Sequence, residues 1–322
     1  MPEATQTAVK PTLEQVREAT ERIRSVIVHT PLVPLRPSGS HPDILLKPEI
    51  HQAVGSFKLR GVFNAAASMT DEEHQRGLST VSAGNTAQAV GWCGRHFGVP
   101  ARSLMPENAP QTKIEAVKAY GATPVLVPGE ELFRYMREHG WESEPYSFIH
   151  PWTDERVMTG HGSMALEIFE DCPGVQTVFI PVGGGGLIAG VASILKQLNP
   201  DIRIVGVEPQ DCCALHTSFE AGHAVTAPCQ TMSDGVAVPY LTDEMYPLLR
   251  EIVDEVVLVS EVATKQAIRH LAVANNMIVE GAGALAAAAA MTYPAKSRGV
   301  SAAIVTGGGI DIDKFLAIVG QH

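Results

Sequence analysis

The chain has 322 residues, 45% of them hydrophobic and 18% charged, and a formal net charge of -11. This length and composition imply a soluble chain with one large or two modest folded domains, and exclude a disordered one. The negative balance, with basic residues scattered, argues against a nucleic-acid-binding or anionic-membrane surface. The five cysteines (Cys93, Cys172, Cys212, Cys213 and Cys229) are odd in number, lack zinc spacing and include a vicinal pair. Adjacent cysteines are too close for ordinary disulfide geometry, so a reducing compartment is expected. Residues 1–10 lack the apolar core of a signal peptide, and no uninterrupted apolar run is long enough to span a bilayer, so a cytoplasmic location is expected.

Residues 12–26 read as an amphipathic helix, with Leu13, Val16, Ile23 and Val26 apolar and charges between them. Strand-like 44–46 leads into the block 47–61, which ends Gly55-Ser56-Phe57-Lys58-Leu59-Arg60-Gly61 and opens a helical pattern over 57–69. Short apolar runs at 78–81, 101–105, 123–127 and 146–149 then alternate with helical patterns at 86–96, 111–120 and 130–139. A second alternation follows: helix 155–169, strand 177–182, helix 187–198 and strand 203–207. Strand 255–259, helix 261–275, an alanine-rich helix 282–291 and strand 302–305 complete it. Strands alternating with helices predict right-handed crossovers and mostly parallel sheets, hence an α/β fold. The alanine-rich segment is apolar on every side, which predicts a buried helix.

Four motifs carry chemistry. Lys58 stands at a helix start, where the helix dipole and neighbouring Arg60 both disfavour a positive charge, and a lysine with a lowered pKa attacks carbonyls. Between strand 177–182 and helix 187–198 stand four glycines, Gly183 to Gly186, followed by Leu187. Their unhindered amides at a helix start suit a phosphate. Gly184, Gly186 and Gly190, with Glu208 further on, also come near a dinucleotide fingerprint, so this motif by itself leaves a nicotinamide-dependent oxidoreductase open. Ser82-Ala83-Gly84-Asn85-Thr86 follows a strand and starts a helix. Its amides and hydroxyls suit a substrate carboxylate, and capping by Asn85 or Thr86 would also explain it. Thr306-Gly307-Gly308-Gly309 ends the last strand.

Together these motifs resemble the fold type II pyridoxal-phosphate enzymes (tryptophan-synthase-β fold), and most of all their threonine and serine dehydratase branch, to which serine racemase is related. The resemblance runs from about residue 30 to the C-terminus. It implies two three-layer domains with mostly parallel sheets and the cofactor in the cleft between them. The large domain would comprise 1–71 and 152–322, with a small mobile domain at 72–151. The resemblance makes Lys58 the Schiff-base lysine. Phe57, Asn85, Gly183, Gly184, Gly185, Gly186, Leu187, Gly235, Glu280 and Thr306 would line pyridoxal 5'-phosphate, with Asn85 on its phenolic oxygen and Thr306 facing the ring nitrogen. Asp234 matches a family position beside Gly235. Ser82, Ala83, Gly84, Asn85 and Thr86 would hold the substrate. The racemase has a serine where this chain has Ala83 and uses it as an acid, which favours a dehydratase here. Thr86 and Gly309 depart from the family's usual histidine and asparagine.

Glu208 matches a divalent-cation carboxylate in part of the family, while the second acid expected there is Ala214. Weak magnesium or calcium binding is one expectation, and a capping or salt-bridged glutamate the other. The resemblance implies an L-threonine/L-serine ammonia-lyase that eliminates water and releases ammonia and a 2-oxo acid. Dehydration of 3-hydroxyaspartate or a phenylserine-like substrate, β- or γ-replacement, and cofactor binding without turnover are alternatives. Partners would be the small-molecule substrate and further copies of the chain, as a homodimer or higher homo-oligomer. No length is left for the C-terminal regulatory domain that some threonine dehydratases carry, so control by a branched-chain amino acid is not expected.

Overall fold

The structure is a computed structural model describing residues 7–37 and 43–320. Part of the stretch read for a signal peptide (1–6), and residues 38–42 and 321–322 of the expected large domain, lie outside the described residues. The strands are β1 (Val33–Pro34), β2 (Ile44–Pro48), β3 (Leu78–Val81), β4 (Ala101–Pro106) and β5 (Thr123–Val127). They continue with β6 (Ser147–Phe148), β7 (Thr177–Pro181), β8 (Arg203–Pro209), β9 (Glu255–Val259) and β10 (Ser301–Val305).

The helices of the first half are α1 (Leu13–Ile23), α2 (Lys58–Ala67), α3 (Asp71–Arg76), α4 (Asn85–Phe97), α5 (Gln111–Tyr120) and α6 (Gly129–Arg137). Those of the second half begin with α7 (Glu155–Asp171), α8 (Gly186–Leu198), α9 (Ala214–Ala221) and α10 (Met245–Ile252). Then come α11 (Glu261–Asn275), α12 (Gly281–Thr292), α13 (Ala295–Arg298) and α14 (Ile312–Val319). Local chemistry sets several starts. Thr12 accepts from the Gln15 amide while the Gln15 side chain returns to Thr12 N, and Thr70 with Glu73 does the same for α3.

The strands of the described residues form two sheets, one of six in the order β1-β2-β10-β7-β8-β9 and one of four in the order β5-β4-β3-β6. Of their pairings only β1–β2 is antiparallel. Parallel sheets need cover on both faces, and the six-stranded one has it. Val178 and Ile180 of β7 join the core made with α7, α8 and α10, whereas Phe179 joins the core made with α11 and α12. In β10, Ala302 and Ile304 take the first side, Ala303 and Val305 the second. Gly281 to Ala290 of α12 are all buried, as the all-apolar pattern predicts. A third core joins α2 and α4 to the four-stranded sheet through Leu59, Val62, Phe63, Leu78, Val90 and Met105.

This topology places the chemistry. The loops leaving the C-terminal ends of β2, β3, β7 and β10 carry Lys58, Ser82 to Asn85, the four glycines and Thr306, all of which line one cleft. In parallel α/β sheets ligands gather at these ends, because helix N-termini converge there.

Candidate active site

The Lys58 turn is pinned to the end of β10. Phe57 N donates to Thr306 O at 3.0 Å, Gly308 N donates to Gly55 O at 3.0 Å, and Ser56 bridges to Gly307. Gly55 adopts φ +69°, a backbone region that favours glycine. Lys58 is the first residue of α2, and its Nζ donates to Pro151 O at 3.3 Å. Burial pushes its pKa from 10.5 down to about 8, and Glu280 opposes that shift. The cause differs from the sequence expectation. Arg60 turns away from the cleft and binds Glu49 and Glu167 with both ends of its guanidinium, beneath a Lys47–Glu167 ion pair. Desolvation, not Arg60, lowers the Lys58 pKa.

The glycine run is shaped by what packs on it. Gly185 has φ +94°, and a Cβ on Gly184 would lie 2.3 Å from the Trp152 ring. On Gly186 it would lie 2.7 Å from the Trp152 carbonyl oxygen, and on Gly183 3.0 Å from Val236 Cα. Side chains at these positions would fill the cradle. No side chain caps α8, and the same holds for α2 and α4. Three helices thus begin at one cleft with amides not satisfied by a side-chain cap, an arrangement suited to anions. The expected capping of α4 by Asn85 or Thr86 does not occur: Asn85 Nδ2 donates instead to Glu280 Oε1 at 2.8 Å, and Thr86 is buried. Ser82 Oγ accepts from Gly84 N at 3.1 Å.

Glu280 precedes α12, and its amide donates to Gly307 O at 3.1 Å. Burial raises its pKa to about 7, against the opposing donation from Asn85. A Cβ on Gly307 would meet Glu280 Oε1 at 2.5 Å, so the glycines after Thr306 make room for this carboxyl. The cleft encloses about 290 Å³ and is lined by Phe57, Lys58, Ser82 to Thr86, Gly183 to Leu187, Gly235, Glu280 and Thr306. Gly309 lines it as well.

The family of pyridoxal-phosphate dependent enzymes matches residues 23–307. The chain belongs to that family. The catabolic L-threonine dehydratase TdcB of Staphylococcus aureus is 37% identical, over 98% of this chain and 93% of its own. Among solved structures, maize serine racemase superposes with a TM-score of 0.89 at 31% identity, covering 96% of this chain and 97% of its own. A threonine deaminase from T.th. superposes at 0.86 with 36% identity, over 94% and 99%. Family membership closes the dinucleotide reading of the glycine loop. The site also fits the cofactor on its own terms: a desolvated lysine amine, a side-chain-free cradle at a helix start, and the buried hydroxyl-bearing Thr306 face one volume.

For Glu208 the structure matches the capping alternative, and one expectation, about the cysteines, is corrected. Glu208 lies outside the cleft, and its two oxygens accept from Leu215 N and His216 N, each at 2.9 Å, at the start of α9. It is a buried cap rather than a surface acid or an open ligand, and among the described residues no group of three or more His, Cys, Asp or Glu is placed to hold a metal. The cysteines are not all reduced: Cys212 is disulfide-bonded to Cys229, not to its neighbour Cys213. An isolated antiparallel bridge sets these two backbones side by side, a proximity with no signature in spacing.

Sequence reasoning missed several lining residues, Pro151, Trp152 and Lys113 among them. Pro151 and Trp152 follow β6 where the chain returns to the larger sheet, so a change of sheet after a short strand was the available signal. For Lys113 there was none.

Proposed function

We propose that this pyridoxal-phosphate-dependent lyase is an L-threonine/L-serine ammonia-lyase, releasing ammonia and a 2-oxo acid. The observation that carries the reading is the half-buried Lys58 amine, its pKa lowered by desolvation, in one cleft with the glycine cradle and the Ser82–Thr86 loop. The threonine dehydratase and deaminase relatives support the same chemistry.

In this reading Lys58 would anchor the cofactor, the amides of Gly183 to Gly186 and the start of α8 would take its phosphate, and Asn85 and Thr306 would meet its ring. When bound, pyridoxal phosphate supplies the electron sink that makes the Cα–H bond acidic. The Ser82–Thr86 loop takes the substrate carboxylate at the start of α4. As a free amine, Lys58 would accept the Cα proton on its Nζ. Its lowered pKa leaves a usable fraction of free amine near neutral pH. Ala83 carries no acid to return a proton to the opposite face of Cα; the electron pair left at Cα would instead form the Cα–Cβ double bond as the β-hydroxyl leaves, and the proton taken up by Lys58 balances its departure as water. Thr306 would offer a neutral hydroxyl to the ring nitrogen, which suits elimination better than a long-lived carbanion. The segment 72–151, acting as the small mobile domain, excludes water when it closes.

No step needs a divalent cation at Glu208, whose oxygens cap α9. A homo-oligomer belongs to the reading. Val273 on α11 and Ile312 and Leu316 on α14 are exposed on two helices that pack together, a surface another copy could cover. A cytoplasmic location also belongs to it, as for a metabolic enzyme; among the described residues no helix is long and apolar enough to cross a membrane. The deciding experiment is a 2-oxo acid release assay across β-hydroxy amino acids. Release from L-threonine and L-serine, lost in Lys58→Ala, is expected; no release from either refutes the assignment.

A further inference from the structure

Among the described residues, four ionisable side chains line the cleft: Lys58, Lys113, Asp234 and Glu280. Glu280 accepts from Asn85, and Lys58 is the covalent anchor in the reading above. Of these four, Lys113 is therefore the cation left to meet a charge on the substrate's side chain. It is already engaged, with Nζ 2.8 Å from Asp234 Oδ2. The partners come from opposite walls. Lys113 stands in the first turn of α5, and Asp234 opens the short turn Asp234–Val236 that packs on α12. Their side chains are 31% and 48% exposed, which sets the pair at the mouth of the cleft rather than beneath its floor. The two act on Glu280 with opposite sign, Lys113 favouring its ionised form and Asp234 opposing it, so both are within electrostatic reach of the inner cleft.

Serine and threonine bring one carboxylate, which the Ser82–Thr86 loop can take. A substrate with a second carboxylate on Cβ needs a second cation, and Lys113 is neutralised by Asp234. Such a substrate must either displace Asp234, leaving two carboxylates close together, or keep its own unpaired. Both outcomes disfavour it, which is specificity by repulsion.

We propose that Asp234, by holding Lys113 across the mouth of the cleft, is a specificity-determining residue that biases the enzyme toward β-hydroxy amino acids with uncharged side chains and against those with a side-chain carboxylate. The inference rests on the ammonia-lyase reading and deepens it by naming the accepted side chains.

The test measures kcat/KM for L-serine, L-threonine and 3-hydroxyaspartate with cofactor-saturated enzyme. Wild type is compared with Asp234→Asn, Asp234→Ser and the double variant Asp234→Asn/Lys113→Met. The readout is the ratio of acidic to neutral substrate, which a merely structural role would not move. The ratio is expected to favour neutral substrates in wild type and to rise about three- to tenfold in either Asp234 variant. Added salt should shrink the gain, and the double variant should abolish it. Wild type preferring 3-hydroxyaspartate, an unchanged ratio in Asp234 variants that still turn over serine, or a gain that survives Lys113→Met would each overturn the inference. Turnover of serine or threonine without the ratio change removes this inference alone. No turnover of any substrate by wild type removes the ammonia-lyase reading with it, and the wild-type panel decides this whether or not a variant folds.

Discussion

Asn85 Nδ2 donates to Glu280 Oε1 at 2.8 Å, joining the first residue of α4 to the residue that precedes α12. The bond crosses from the helices of the four-stranded sheet to those of the six-stranded one, and burial lifts the carboxyl it reaches to about 7.

That value has a pH signature. Because the folded pKa exceeds the ordinary 4.5, native Glu280 keeps its proton where the unfolded chain has lost it. Its stabilising contribution is full below about pH 4.5 and is lost as pH rises through 7. Glu208, raised by burial to about 7, adds a contribution of the same sign. In cofactor-free protein, Glu280→Gln should remove a pH-dependent contribution of order 3 kcal/mol between pH 4.5 and 7. Urea melts at several pH values measure it, and an unchanged slope would contradict the burial argument.

Lys58 gives a second pH-dependent quantity. With a pKa of about 8, its free-amine fraction is half at that pH and saturates about one pH unit above it. The rate at which cofactor-free protein recombines with pyridoxal phosphate should follow the same curve, with a midpoint near pH 8 and a plateau above about pH 9 rather than a rise beyond 10. Lys58→Ala should lack the absorbance band near the visible edge that marks the lysine–cofactor linkage. A band that persists in the variant would assign the anchor elsewhere.

Trp152 and Gly184 should be energetically coupled. A Cβ on Gly184 would lie 2.3 Å from the Trp152 ring, so Gly184→Ala must displace the indole. The variant should lose about 1–3 kcal/mol of stability and bind cofactor more weakly, and Trp152→Ala should relieve much of the loss. A double-mutant cycle with coupling under about 0.5 kcal/mol would show that the two do not share the space.

Beneath Lys58, Arg60 and Lys47 face Glu49 and Glu167 in a buried cluster. Burial works against the Glu167 charge, but Arg60 and Lys47 outweigh it and hold the carboxyl below its ordinary value. Removing one member leaves an unmatched buried charge. Arg60→Met should therefore cost about 3–5 kcal/mol of folding stability, against under about 1 kcal/mol for Arg76→Met in the exposed Arg76–Glu72 pair. Chemical denaturation of the two variants separates the cases.

Much of this was legible along the chain. Strands β4, β5, β7, β8, β9 and β10 and helices α4, α5, α7, α8 and α11 lie within a residue or two of where periodicity placed them. Each is long enough to show a repeating apolar pattern. Short helices such as α9, α10 and α14, at eight residues each, left too little periodicity to read and are recognisable from what covers them. Lys58, the glycine run, the Ser82–Thr86 loop and Thr306 announced themselves because their chemistry depends on local backbone: a turn, a helix start, a side-chain-free loop.

What only the tertiary structure decided concerns burial and partners. The sequence suggested Arg60 as the neighbour that weakens the charge on Lys58, but folding turns Arg60 into the Glu49–Glu167 cluster and leaves desolvation as the cause. Glu208 resembles a ligand in sequence and is a cap in space. Cys229 finds Cys212 across 17 residues, and Lys113 finds Asp234 across the cleft. Lys58 is thus readable as a candidate lysine from its own turn. Its amine has a lowered pKa because segments distant in sequence pack around it and desolvate it, against the opposing charge of Glu280.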